Sequence, residues 1–347
     1  MKFRKLLTHR LVLPIAALIV LILINTISRP TFLSITVRDG QLYGSLIDIL
    51  RNSAPLMLVA LGMTIVIATR GIDLSVGALM AVSGAVALTI IDGSGSPENP
   101  ATLFTAIVAG VAVTFAFGLW NGFLVAVLGI QPIIATLVLM LAGRGIALLI
   151  TGGFITTVTS APYRFMAQGY VVGFPFAFFV SVLAIALVVL IERRTALGVL
   201  TEAVGINPEA SRLAGVRSRG IIWGAYAASE DRKSVVYSSN IMAADANAAG
   251  QYIELDAILA VVLGGTSLMG GKFSLAGTVI GVFTIQTLKS TITFLGVPPA
   301  VSPLFLALVV IVVVLVQSRR VRAWASSIGR LGSQASQAAR KETEVAS

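Results

Sequence analysis

Long apolar runs alternate with short polar intervals along almost the whole of this chain. Runs of roughly spanning length fall at residues 11–27, 54–69, 74–91, 103–128, 133–151, 172–191, 257–269, 274–295 and 301–316, each set off by Gly, Pro, Ser or charge. The run from residue 257 is short for a crossing, so its helix is predicted to start earlier, through Glu254 and Asp256. A tenth span is predicted between residues 221 and 242. The pattern is that of an all-α fold, a polytopic transmembrane helical bundle of about ten spans. Residues 1–330 form a single transmembrane domain, and the polar, Ser/Ala-rich tail 331–347 is expected to be a disordered cytoplasmic extension.

Charge sets the orientation. The basic starts MKFRK and SRRVR, at residues 1–5 and 318–322, both belong in the cytoplasm by the positive-inside rule, which requires an even number of crossings. Ten spans also place residues 195–220 inside and the acidic or neutral stretches 92–100 and 243–253 outside. Residues 29–51 fit less well: they are external by this threading, yet carry Arg29, Arg38 and Arg51 against Asp39 and Asp48. Their amphipathic second half is expected to lie along the outer surface. The basic start followed by residues 11–27 is similar to a secretory signal, but no small-residue cleavage site follows, so it reads as a retained first helix.

One segment conflicts with the pattern. The predicted seventh span runs into Glu230-Asp231-Arg232-Lys233, four consecutive charges that would each cost a few kcal/mol at bilayer depth. Asp231 to Tyr237 can be written in codons as GAT CGG AAG AGC GTC GTG TA, which looks like common sequencing-adapter DNA. We read residues 230–237 as an artefact standing in place of a small-residue helix segment. Resequencing the source locus decides this, and recovery of the same charged codons would overturn it.

Composition narrows the chemistry. The 347 residues are 56% hydrophobic and 12% charged with a mean hydropathy of +0.95, about half the charge of a soluble domain. The net charge of +10 gathers at the termini and the central loop, so it reports membrane orientation rather than nucleic acid. There is no cysteine, and the one histidine, His9, sits in the basic N-terminal tail. Thiol catalysis, disulfides and His-based metal sites are thereby set aside, and no catalytic residue or cofactor is assigned.

The long polar interval is the cytoplasmic loop 194–220, read as a short helix, a break over residues 205–208, and a second short helix carrying Ala210, Leu213 and Ala214 on one face. Such a knob calls for a socket on another protein. A faint repeat pairs GIDLSVG at residues 71–77 with GKFSLAG at 271–277, glycines at the same spacing after an apolar run and both on the cytoplasmic side. Duplicated halves are common in transporters. GTSLMGGKF at residues 265–273 is rejected as a phosphate loop: its spacing is one residue too long and Phe273 stands where a Mg²⁺-binding hydroxyl belongs. With no ATP site, the protein must be driven by a gradient or by a partner. Gradient coupling is weakly supported, because Asp73 and Asp256 lie at or near span ends. Arg144 is deeper, as a structural pair or a donor to substrate hydroxyls. Asn121, Gln131 and Gln286, with the aromatic face of Trp120, could line a path for a neutral sugar; hydrogen bonding between helices explains the same residues.

Three strings in fixed order carry a resemblance: LGMTIVIATRGIDLSVG at residues 61–77, EAVGINPEASRLAG at 202–215 and ELDAILAVVLGGTSLMGG at 254–271. They resemble the permease subunits of bacterial ribose-type sugar ABC importers, closest to the galactofuranose group, in which a sequence like ADANAAG at residues 244–250 precedes the Glu-Leu-Asp motif. The likeness covers about residues 47–316, and the family has small apolar residues where this chain has 230–237. The resemblance implies that residues 202–215 form the coupling helix that docks into a cytoplasmic ATPase subunit, with Glu202, Gly205, Asn207, Ala210, Ala214 and Gly215 as its coupling positions. It makes Gly71, Asp73, Ser75, Gly77, Glu254 and Asp256 structural motif residues. It further implies a periplasmic sugar-binding protein and a second permease subunit, identical or sister, within the inner membrane. A branched-chain amino-acid permease, which shares a similar loop, and an ATPase-independent carrier remain the alternatives.

Overall fold

The computed structural model describes residues 11–229, 242–298, 301, 303–308 and 311. The charged segment 230–237 and the tail 331–347 lie outside the described residues, as do half of the run 301–316 and the second half of the predicted seventh span. The chain divides into two compact units, Met1–Ser290 and Thr291–Ser347.

The first unit is built of helices. α1 is Val12–Ser28, a 17-residue apolar helix. A 3-10 turn and a hairpin of β1 (Thr36–Arg38) and β2 (Gln41–Tyr43) lead to α2, Ser45–Ala68. Then come α3 (Val76–Gly93), α4 (Pro100–Ala126) and α5 (Pro132–Ile150). β3 (Thr156–Thr157), α6 (Ala161–Gln168), β4 (Tyr170–Val171) and β5 (Phe174–Pro175) precede α7, Phe176–Arg194. The short helices α8 (Leu197–Ile206) and α9 (Pro208–Leu213) form the polar loop, followed by α10, Ser218–Ser229. β6 (Ala243–Ala244), α11 (Ile253–Leu263) and α12 (Leu275–Phe294) complete the order. Six of these helices, α2, α3, α4, α5, α7 and α12, are long and apolar enough to cross a membrane. The fold is therefore mostly helical, with three two-stranded sheets of two or three residues per strand added to the all-α expectation.

Two expectations are corrected. Residues 45–51 do not lie apart on the outer surface: they are the first two turns of α2, with Ile47 and Ile49 buried and Arg51 paired to Asp48 on the half-exposed side at 3.2 Å. The helix around residue 257 does begin early, at Ile253, but it ends at Leu263, and residues 264–274 run on without helix. Eleven residues rise roughly 16 Å, about half a bilayer core.

Helices this apolar gain little from association in lipid by hydrophobicity alone, so small residues set the crossings. α11 and α12 meet through Ala260 and Gly264 on one side and Gly277 and Gly281 on the other: a Cβ on Gly277 would stand 2.0 Å from the Gly264 carbonyl oxygen. Gly143 of α5 rides on Ala78 of α3, and Gly62 of α2 on Ser229 of α10. Thr64 and Thr278 add a buried hydroxyl pair at 2.8 Å between α2 and α12. The Lys289 ammonium pairs with Asp256, tying α12 to α11 a second time.

α2 rises roughly 36 Å over its 24 residues, so the β1–β2 hairpin and the end of α2 lie at opposite ends of the bundle. At the hairpin end, the Asp39-Gly40 turn has both φ positive, as a tight two-residue hairpin requires. Leu42 N–H donates to Gly173 O at 2.9 Å, and Tyr43 meets Tyr170 at 5.4 Å, fastening this hairpin to the β4–β5 hairpin. β3 pairs with β6, joining the loop after α5 to the segment before α11.

In the second unit, Gly296 (φ +71°) closes the last turn of α12 by donating to Thr293 O, and Phe305 N–H donates to Val301 O as helix resumes over 303–308.

Candidate functional site: the junction behind the polar knob

The polar loop folds as a knob whose sequence dictates its shape. Asn207 separates the two helices and caps α9, its Oδ1 accepting from Glu209 N–H at 3.1 Å and Ala210 N–H at 3.0 Å, with Pro208 at the first helical position. Gly215, at φ +86°, ends α9; Val216 N–H then donates to Ser211 O and Gly215 N–H to Arg212 O. Ser218 Oγ donates to Pro208 O at 2.9 Å and closes the loop. Ile206, Ala210, Leu213 and Ala214 are exposed, Leu213 to 79%. Glu209 is held below the usual carboxylate range by its hydrogen bond to Arg212, whose own titration is raised by the same contact.

Gly205 faces the other way. A Cβ there would fall 1.8 Å from Ala68 O and 2.5 Å from Gly271 N, so the last turn of α8 lies directly on the end of α2 and on the glycine loop before α12. Those two segments are themselves joined, Gly271 N–H donating to Ala68 O at 2.9 Å. Arg70 completes the clasp. Its backbone is left-handed, φ +67°, an uncommon state for a residue with a Cβ. Its guanidinium forks, Nε donating to Met269 O at 3.1 Å and Nη2 to Ile206 O. Three stretches far apart in sequence thus converge on one point: residues 68–71, 205–206 and 269–271.

From the clasp the chain turns back into the bundle. Residues 71–75 are not helical, yet Gly71, Asp73 and Ser75 are buried. Such backbone is tolerated inside a membrane protein only where protein satisfies it. Asp73 does this: fully buried, it accepts from Ser75 N–H (3.0 Å) and Ser75 Oγ (2.6 Å) on Oδ1, and from Ser229 Oγ (3.3 Å) on Oδ2. It also stands near the positive end of α3. Asn121 Nδ2 donates to Ser75 Oγ at 2.9 Å, drawing in α4. Tyr226 of α10 is fully buried with its hydroxyl against Gly71, where a Cβ would stand 2.5 Å away.

A family model described as branched-chain amino acid transport system / permease component matches residues 45–314, the span that holds all three converging stretches. The chain belongs to this permease family. Among curated relatives, a galactofuranose transporter permease of Escherichia coli (strain K12) is 45% identical over 88% of this chain and 89% of its own length. A fructose import permease of Bifidobacterium longum (strain NCC 2705) is 41% identical over 94% and 93%. A ribose import permease of Bacillus subtilis (strain 168) is 33% identical over 88% and 92%. No solved structure matches the chain.

Within this permease some of the sequence-predicted residues gather in three places, and Asn207, Ala210, Ala214 and Gly215 lie on the knob. Gly71, Asp73, Ser75, Asn121 and Gly205 belong to the junction. Gly77, Arg144, Glu254 and the turn 245–250 form a second cluster: Arg144 donates to Ala246 O at 2.8 Å and to Ala249 O, lies within electrostatic reach of Glu254, and Glu254 Oε2 rests against Gly77. Asp256 sits in the α11–α12 ion pair. The five pathway positions are not gathered. Trp120 is 53% exposed and packs on Phe123 at 6.2 Å, while its neighbour Asn121 is fully buried. Gln131 is exposed at the start of α5, Gln286 is half-buried on α12, and Glu202 is half-buried on α8. Sequence reasoning did not single out Arg70, Ser229 or Tyr226. The one available signal was a cation wedged between the end of an apolar run and Gly71.

Proposed function

We propose that this chain is the membrane-spanning permease subunit of an ATP-binding-cassette importer, carrying a monosaccharide of galactofuranose or ribose type across a bacterial inner membrane. It acts without covalent chemistry on its cargo and has no ATP site of its own. A separate cytoplasmic ATPase supplies the energy, a periplasmic sugar-binding protein delivers the substrate, and a second permease subunit, identical or sister, encloses the path. Ten spans over residues 1–330, both termini in the cytoplasm and the knob facing the ATPase complete the reading.

The observation that carries it is the two-sidedness of the knob. One side of α8–α9 offers exposed apolar residues, Ala210, Leu213 and Ala214, to a partner. The other is locked by Gly205 and Arg70 onto the ends of two membrane helices. ATPase closure pushes the knob, the clasp passes the displacement to α2 and residues 69–75, and Asp73 and Ser75 relay it to α10 and α4. The sugar-named relatives, at 33–45% identity, favour a sugar over an amino acid as cargo.

The test is reconstitution in liposomes with the ATPase and the binding protein. Sugar accumulates only when ATP and both partners are present, and the chain alone is inert under any ion gradient. Accumulation by the chain alone would overturn the proposal.

A further inference from the structure

Between α2, α7, α8 and α10 lies a cavity of about 690 Å³, within the size range of small-molecule sites. Its lining is sorted by polarity along the helix axes. At the knob end stand Glu192, in the last turn of α7, Thr201 of α8 and Arg217, just before α10. At the far end stand Leu58, Ala184 and Ala228, with apolar side chains only. Ala184 lies eight residues back along α7 from Glu192, roughly 12 Å. A monosaccharide needs hydrogen-bonding partners on every side, and the far end offers none. An amphiphile with its head at the knob and its tail in the bundle fits this gradient.

The polar end specifies the head. Glu192 Oε2 is buried with no hydrogen-bond partner among the described residues, and the Glu202 carboxylate adds a second negative charge nearby. Arg217 is exposed at the mouth and forms no ion pair with Glu192 among the described residues. One carboxylate that needs a hydrogen-bonding cation and one guanidinium suited to a phosphate complement a headgroup bearing both. Small residues make room for the tail: Gly220 and Gly224 of α10 are exposed, and a Cβ on Gly224 would meet nothing within 4 Å.

We propose that this cavity holds one phospholipid with a primary-amine headgroup, of phosphatidylethanolamine chemistry, its ammonium on Glu192, its phosphate on Arg217 and an acyl chain along α2, α7 and α10.

The experiment is native mass spectrometry of the purified full chain, incubated with an equal mixture of phosphatidylethanolamine, phosphatidylcholine and phosphatidylglycerol carrying identical acyl chains. One phosphatidylethanolamine is expected to remain on each chain in preference to the other two. E192Q, which keeps the cavity, should lower the preference over phosphatidylcholine by about tenfold, the weight of one charge-assisted hydrogen bond. Gly224→Leu, which fills open space, should displace all three lipids while the chain remains monodisperse on gel filtration. Equal retention of all three headgroups by the natural chain, or an unchanged preference in E192Q, would overturn the headgroup assignment. Unchanged lipid retention in Gly224→Leu would overturn the site. A dimer mass lost in Gly224→Leu with lipid unchanged would make a second copy of this chain the occupant and would also overturn it.

Discussion

Replacing Gly205 with Val tests the clasp most directly. The new Cβ would stand 1.8 Å from Ala68 O, whereas comfortable contact begins near 3.5 Å, so the last turn of α8 must retreat by roughly 1.5–2 Å. That retreat separates Ile206 O from the Arg70 fork, or else pushes Ala68 O away from Gly271 N–H. Overpacking costs about 1–3 kcal/mol, and each buried polar group left unpaired about 1–3 kcal/mol more. Removing a helical glycine returns less than about 1 kcal/mol. The net penalty on the closed junction is therefore about 2–5 kcal/mol, and even the lower figure changes the ratio of closed to open junctions about thirtyfold. The penalty is local, because the core crossings of α3, α4, α5, α11 and α12 do not involve Gly205. Membrane yield and gel-filtration profile should match the natural chain, while ATP-driven sugar uptake by the assembled complex is lost. Gly215→Ala is the comparison: its Cβ would meet nothing within 4 Å, so it bears only the strain of φ +86°, about 1 kcal/mol. Uptake at the natural rate in Gly205→Val, with correct insertion, would refute the transmission of force through this contact.

Arg70→Lys trades a two-pronged donor for a single ammonium and should lose one of the two carbonyl contacts, at about 1 kcal/mol; sugar uptake should fall further than membrane yield. Asp73→Ala removes the acceptor of the buried Ser75 and Ser229 hydroxyls and should lower stability by about 2–4 kcal/mol, read as the melting temperature in detergent, with Asp73→Asn falling between the two. The Glu209–Arg212 pair is fully solvated. With the folded carboxyl lowered, any stability it lends is complete above the ordinary carboxylate value and fades as pH falls through the folded one; Arg212→Ala should leave the melting temperature unchanged across that window, since exposed pairs contribute little.

Much of this arrangement was legible in the residues. Six of the spans, the two-helix knob and the Asn207-Pro208 start of α9 follow from hydropathy and capping chemistry, and the glycine strings were visible as strings. What no local pattern could give was their meeting: Ala68 and Gly271 are joined by one hydrogen bond across 203 residues of chain. The break expected over residues 205–208 includes Gly205, but the helix runs on through Ile206 and the glycine serves close approach to the chain itself. The short hairpin was missed although Asp39-Gly40 is among the strongest two-residue turn signals. Pairing Trp120 with Asn121 on one sugar-facing wall overlooked the helical period: adjacent residues point about 100° apart, and here one meets the surface and the other Ser75.

The placement of Asp73 explains why a costly feature sits where it does. A carboxylate buried this deeply is unfavourable unless donors surround it, and here the donors come from two different elements, Ser75 at the start of α3 and Ser229 at the end of the described part of α10. A hydrophobic side chain at that point would pack equally well against a shifted α10. A carboxylate does not, because sliding α10 leaves a buried charge short of a donor. The segment 71–75 and α10 are therefore bound to move together, and the same requirement extends through Ser75 to Asn121 of α4. The clasp at Arg70 and Gly205 holds the knob to one end of this unit. A displacement of the knob then becomes a displacement of four helices, rather than a local bending of the loop.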